Sequence, residues 1–282
     1  MCVAELHSPG RTFSRRGFIK LGAVTAATAS LATQLGSRAT HASAQGAPLR
    51  QVSLDHIVDL THVLGPTTPL LYPLLPKLGL VNLATHDKNG LYANQLVVSE
   101  HHGTHFDAPI HFARGGQSTA DVPAHTLVAP AVVIDIREKA TRNPDAELTM
   151  DDISAWEGQY GRIPDGAAVL LNSGWGSRFD DEDACRNVGP DGLGHYPGFS
   201  PEVATFLRDE RSIVGIGTDT MNVDRGVNTG FEAHKILMAV NTWMLEGVAS
   251  LGEIPPSGAY LFVGAPRHAG GSGGPARVIA VW

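Results

Sequence analysis

Residues 101–112 read HHGTHFDAPIHF, placing four imidazoles and a carboxylate within twelve positions of a 282-residue chain that has 13 histidines in all. Neutral imidazole and carboxylate are the donors that Zn²⁺ and Mn²⁺ take, and one short segment can supply several of them. His101, His105, Asp107 and His111 stand at intervals of four, two and four. On a continuous strand these odd positions would share a face but spread over about 33 Å, too far for one ion. Gly103 and Pro109 interrupt any regular element, so the segment is expected to bend around a common point. His102 has the opposite parity and is expected to point away. A set of unrelated surface or core histidines is the plainer reading, but the density argues against it. A structural zinc site would call for a closed, cysteine-rich set, and no cysteine is near.

His234 and Glu246 offer further donors on either side of an apolar stretch, Lys235–Leu245. Twelve residues on one straight helix would separate them by about 120°. A helix that breaks near Asn241, followed by a strand through Thr242–Leu245, would turn both inward.

The elements that must position these groups are mostly strands. Short β-rich runs fall at His56–Leu60, Leu96–Ser99, Ala131–Ile136, Ala167–Asn172, Ser212–Thr218, Ala259–Val263 and Arg277–Trp282. Two helices are announced by their starts: Thr149–Tyr160, with a Thr cap and early acids, and a second beginning Ser200-Pro201-Glu202. This is a sheet-dominated α/β domain without the Gly-rich fingerprint of a nucleotide fold. Gly270–Gly274 lacks the Lys-Ser/Thr of a phosphate loop and is expected to be a turn before the last strand. No G-x-S-x-G elbow supports a serine nucleophile.

The chain carries 21 Lys and Arg against 28 Asp and Glu, a net charge of -7, which disfavours nucleic acid as a partner. Residues 1–44 look like an address: Arg15-Arg16, Phe18, Lys20, a weakly apolar run from Leu21 to Leu35, and Ala42-Ser43-Ala44. The run is too short and polar to span a bilayer. The order resembles a twin-arginine export signal cleaved after Ala44, leaving residues 45–282 as the mature domain in the periplasm or outside the cell. Removal would take Arg11, Arg15, Arg16, Lys20 and Arg38 but only one acid, Glu5, and would leave Cys185 without a disulfide partner.

HHGTHFDAPIHF resembles the H-x-G-T-H-x-D-x-P-x-H signature of the metal-dependent cyclase-like hydrolases, which include kynurenine formamidases and isatin hydrolases. LLNSGW at 170–175, PGFSPEVATFL at 197–207, GIGTDTMNVD at 215–224 and the His234–Glu246 spacing fit as well. The resemblance runs from about Asp59 to the C-terminus. It implies a swivelling β/β/α fold, often assembled as a homo-oligomer. It further implies that His101, His105 and Asp107 bind one Zn²⁺ or Mn²⁺, that Asp107, His234 and Glu246 serve a second where two are present, and that His111 shuttles protons. The chain departs from the formamidases where Tyr72 precedes Pro73 and at Asp219-Thr220-Met221-Asn222-Val223-Asp224, and its spacing over 143–171 and its ending are closer to the isatin hydrolases. Tyr72, Trp175, Phe106 and Phe112 are candidates to line an aromatic substrate pocket, Tyr72 and Trp175 foremost. The reaction expected is hydrolysis of an amide, formamide or lactam C–N bond in a small substrate. The alternatives are a cyclase or lactone-acting enzyme with the same donors, and a non-enzymatic metal-binding protein of the cell envelope.

Overall fold

The structure is a computed structural model that describes residues 54–70 and 75–282. The expected export segment, Cys2 and Tyr72 lie outside the described residues. Thirteen strands occur among those described: β1 Ile57–Asp59, β2 Gly79–Ala84, β3 Ala93–Val97, β4 His105–Asp107, β5 Val128–Asp135, β6 Glu147–Leu148, β7 Ala168–Asn172, β8 Gly198–Phe199, β9 Gly215–Thr218, β10 Trp243–Glu246, β11 Tyr260–Gly264, β12 Gly273–Pro275 and β13 Arg277–Val281. Six α-helices accompany them: α1 His86–Asn89, α2 Arg137–Arg142, α3 Met150–Tyr160, α4 Glu182–Arg186, α5 Pro201–Glu210 and α6 Glu232–Met238.

Nine strands form one sheet in the order β1-β13-β11-β5-β7-β9-β10-β4-β12. The middle four, β5-β7-β9-β10, run parallel, and antiparallel strands extend both ends. β7 is buried at every position, as a parallel strand covered on both faces must be. Alternation then sorts its neighbours. Val132, Ile134, Val169, Leu171, Ile216 and Met244 point to one face, where they meet Ile153 and Trp156 of α3, Val203 and Leu207 of α5, and Leu237 of α6. Val133, Leu170, Trp243, Leu245 and Phe106 point to the other, where Leu261 of β11 and Val278 and Ala280 of β13 close over them. The sheet therefore curls, and a bridge between Thr61 and Val248 ties its beginning to the segment after β10. Each fully buried Val, Leu or Ile contributes roughly 1.5–3 kcal/mol, so these two clusters hold the frame on which the donors stand.

The capped helices form where the sequence places them. Thr149 N–H donates to Asp152 Oδ2 at 2.8 Å, and Ser200 Oγ accepts from Val203 N–H at 3.2 Å with Pro201 behind it. The chain between His234 and Glu246 also breaks as expected. α6 ends at Met238, Asn241 takes a left-handed φ of 64°, and β10 begins at Trp243. One expectation changes. The glycine run is a turn only at its start, because Gly273–Pro275 is the edge strand β12, paired with β4. The β-rich run near Leu96 overlaps β3, which pairs with β2 in a separate two-stranded ribbon.

Candidate metal centre and active site

β4 and β10 bring the donors together by register. Glu246 lies directly across from His105, and Met244 from Asp107. His105 and Asp107 are two residues apart, so both side chains leave the same face, while Phe106 between them goes into the core. That face is the helix-covered one, and α6 supplies His234 above it. Gly103, at φ +68°, makes the bend before β4, and the turn Pro109–His111 carries His111 back towards the same point.

The carboxylates sit among the imidazoles. Asp107 Oδ1 is 2.6 Å from His101 Nδ1 and 3.3 Å from His105 Nε2, and Oδ2 is 3.5 Å from His234 Nε2. Glu246 is 3.3 Å from both His105 Nε2 and His234 Nε2. Each of these three rings is held by its outer nitrogen. His105 Nδ1–H donates to Gly103 O at 3.0 Å, and His234 Nδ1–H donates to Asp224 Oδ2 at 2.6 Å. Ser272 Oγ gives its proton to Glu100 at 2.5 Å, so it accepts from His101 Nε2–H at 2.9 Å. The inner nitrogens are therefore left with lone pairs aimed at one another and at the carboxylates. His105 Nε2 and Asp107 Oδ2 are buried with no hydrogen-bond partner, an arrangement that costs ~1–3 kcal/mol per group unless something satisfies it. A divalent cation does so, and three nitrogens with two carboxylates form a donor set that fits one.

The electrostatics agree. Burial opposes charge on His105, yet Asp107 and Glu246 outweigh it and push the ring up to about 10. His234 is likewise raised against burial by the neighbouring carboxylates of Asp107, Asp224 and Glu246. Burial would raise Asp107, but His105, His101 and His234 hold it well below the usual carboxylate range. Glu246 is lowered too, with burial and Asp107 working against His105 and His234. The pocket demands positive charge at its centre. His111 differs. Burial drives it down to about 4, so the ring is neutral at pH 7 and keeps a nitrogen lone pair. It stacks on His101 at 3.9 Å between centroids, and its donor atom lies within 4.8 Å of those of His101 and Asp107.

A cavity of about 200 Å³ opens over these residues, walled by Leu75, Phe112, Met221, Asn222 and Phe231. Phe112 lies against the His234 ring at 4.5 Å. Trp175 and Phe106 are not on this wall. Trp175 is buried, with its indole N–H donating to Cys185 O at 2.8 Å, and Phe106 packs on Trp243 from the opposite sheet face. Aromatic type alone suggests both for the pocket, while parity and a core partner decide their placement. His102 is buried away from the cavity, as its parity implies. Asp224, Ser272 and Glu100, which set the orientations of the His234 and His101 rings, carry no spacing signal of their own. Asp224 alone sits in a segment the sequence singles out.

The chain is similar to known proteins in sequence and in fold. The Cyclase family model, described as a putative cyclase, matches residues 58–225. The isatin hydrolase of Roseibium aggregatum is 35% identical over 243 residues, covering 80% of this chain and 91% of that protein. The kynurenine formamidase of Salinibacter ruber is 31% identical over 68% of this chain and 81% of its own length. Among solved structures, an isatin hydrolase bound to the product analogue thioisatinate superposes with a TM-score of 0.75 at 34% identity, covering 80% of this chain and 92% of that one. Isatin hydrolase A from Ralstonia solanacearum gives the same TM-score and identity, at 80% and 91% coverage. A donor set built for a divalent cation, on a curled sheet shared with these enzymes, places the chain in the cyclase family, as one of its metal-dependent hydrolases.

Proposed function

We propose that the protein hydrolyses the amide or lactam C–N bond of a small aromatic substrate, using Zn²⁺ or Mn²⁺, one or two ions per chain. The observation that carries this is the convergence of inward lone pairs from His101, His105 and His234 with Asp107 and Glu246 beneath an apolar cavity. Likeness to an isatin hydrolase and to kynurenine formamidases supports the bond type and the aromatic substrate. When bound, a divalent ion lowers the pKa of a water towards ~7 and polarises the carbonyl. His101, His105 and Asp107 are assigned as ligands of one ion, and Asp107, His234 and Glu246 of the second where two are present. His111, neutral and adjacent, accepts the proton of the attacking water at a ring nitrogen and returns it to the leaving nitrogen as the C–N bond breaks. Phe112, Phe231 and Met221 flank an aromatic ring and exclude bulk water. Tyr72, the sequence's other candidate for substrate contact, lies outside the described residues.

The deciding experiment is a metal-loaded assay across formamides, lactams and lactones, beside His105→Ala and Asp107→Ala. Turnover of an amide, with loss of both metal and activity in the variants, is expected. Turnover of lactones alone would replace amide hydrolysis with lactone chemistry, and no turnover with a saturated ion would leave a metal-binding protein of the envelope.

We further propose that residues 1–44 direct twin-arginine export to the periplasm or beyond, so that N-terminal sequencing of the envelope fraction begins at or near Gln45. Intact Met1 protein confined to the cytoplasm would overturn this. Assembly into a homo-oligomer is proposed as well, supported by the β2–β3 ribbon, where Leu80, Val81, Leu83, Tyr92, Leu96 and Val97 are each more than half exposed. A two-stranded ribbon is marginal alone and leaves this area to be covered. Light scattering should give a mass at least twice that of one chain, and a monomer would contradict it.

A further inference from the structure

A second cavity, of about 370 Å³, adjoins the catalytic one and shares Asn222 and Phe231 as a common wall. Its chemistry differs. Among the described residues no carboxylate lines it, although the chain as a whole carries a net charge of -7. Arg186, the last residue of α4, lines it, and its side chain has no ion pair or hydrogen bond with any described residue. Asn222 is only 5% exposed, and its Oδ1 is occupied by Asp224 N–H at 2.8 Å. Its amide nitrogen, which donates to no described residue, is thus the free end at the junction of the two cavities. Thr229 lies on the same wall, and Val188, Leu193 and Phe231 supply apolar surface.

A half-buried arginine without an anion and a side-chain amide nitrogen without an acceptor, both on the wall of this cavity, leave donors open to a ligand. Their common complement is a carboxylate. Size points the same way. The catalytic cavity alone is smaller than the ~300–1,000 Å³ of ordinary small-molecule sites, whereas the two together fall inside that range.

We propose that the second cavity is a carboxylate subsite, in which Arg186 and Asn222 bind an acidic group that the substrate carries away from its scissile bond. The ligand class is an aromatic amide or lactam with a carboxylate on a short arm, the ring lying between Phe231 and the donors and the arm passing Asn222. Arg186 is then a specificity-determining residue rather than a catalytic one. The assignment of the ring end rests on the proposed hydrolysis, but recognition of the acid does not.

Binding without turnover provides the test. The probes are 3-phenylpropionate and its neutral isostere 3-phenylpropionamide, titrated by calorimetry into the metal-loaded and the chelator-stripped protein. The wild type should bind the acid about tenfold more tightly than the amide in both forms, as a charge-assisted hydrogen bond implies. Arg186→Gln should bring the pair within about twofold while amide binding stays unchanged, and Arg186→Lys should keep part of the preference. Thermal melting of each variant confirms that it folds. Equal binding of the pair by the wild type overturns the proposal. So does a preference that survives in Arg186→Gln but vanishes on chelation, because the acid would then be sitting on the ion. If no amide is hydrolysed while the preference holds, the hydrolysis reading fails and the subsite stands.

Discussion

Asp224 holds His234 at two points. Its Oδ2 lies 2.6 Å from the ring Nδ1 and 3.3 Å from the backbone nitrogen, while its Oδ1 accepts from Ala233 N–H at 2.8 Å. One carboxylate thus satisfies the opening amides of α6 and fixes which ring nitrogen faces Asp107 and Glu246. Orientation of this kind is worth about 10–100-fold in metal affinity. Asp224→Ala should lower affinity by that factor in a competition titration against a chelator, and Asp224→Asn, which keeps the shape, by less. Unchanged affinity in both would mean that His234 is no ligand.

His111→Ala should retain metal and lose about 10²–10⁴ in turnover, the usual share of general acid–base catalysis. Metal per chain, measured beside the rate, separates this from a ligand role, since a ligand's loss would lower both together. Wild-type turnover would remove His111 from the chemistry.

The charge demand of the centre predicts how stability varies with pH. His105 stands near 10 when folded against 6.5 in the unfolded chain, and His234 is raised as well. Their bound protons stabilise the stripped protein fully below about pH 6.5, and this contribution is lost as pH rises through about 10. Asp107 and Glu246, both lowered, are ionised in folded and unfolded chains across that window and add no slope. Tm of the stripped protein should therefore fall between about pH 6.5 and 10, while that of the metal-loaded protein stays flatter. Parallel curves would show that the cation does not take the protons' place.

Gly273 admits His101 to the centre. A Cβ at this position would lie 2.6 Å from Phe106 O and 2.7 Å from His101 Cε1, and neither the strand backbone nor the clamped ring can yield cheaply. Gly273→Ala should cost ~1–3 kcal/mol in denaturant unfolding and weaken metal binding by displacing His101. Wild-type values for both would show that β12 gives way freely.

Much of this centre is legible in the sequence because its donors sit close together or in recognisable contexts. The bend at Gly103 and Pro109, the caps at Thr149 and Ser200, and the reversal near Asn241 all follow from local chemistry. Ser272 and Glu100 are not legible. Their role exists only because β12 pairs with β4, a contact between distant parts of the chain that no local pattern encodes. Trp175 misleads for a related reason. Residue type shows that a side chain wants cover, and only the fold shows whether core or ligand provides it. The helices that no sequence pattern foretells, α1, α2 and α4, have four, six and five residues, too few for a 3.6-residue period to establish itself.

The donors begin at His101 and end at Glu246, and no short stretch of chain contains them all. Occupancy therefore depends on the whole fold being complete. The His101–His111 segment holds only part of the set, and Glu246 and His234 join it only where β10 pairs with β4 and α6 lies above them. A cation held by all five donors would therefore tie β4, α6 and β10 to one another, so that removing it loosens parts of the chain far apart in sequence.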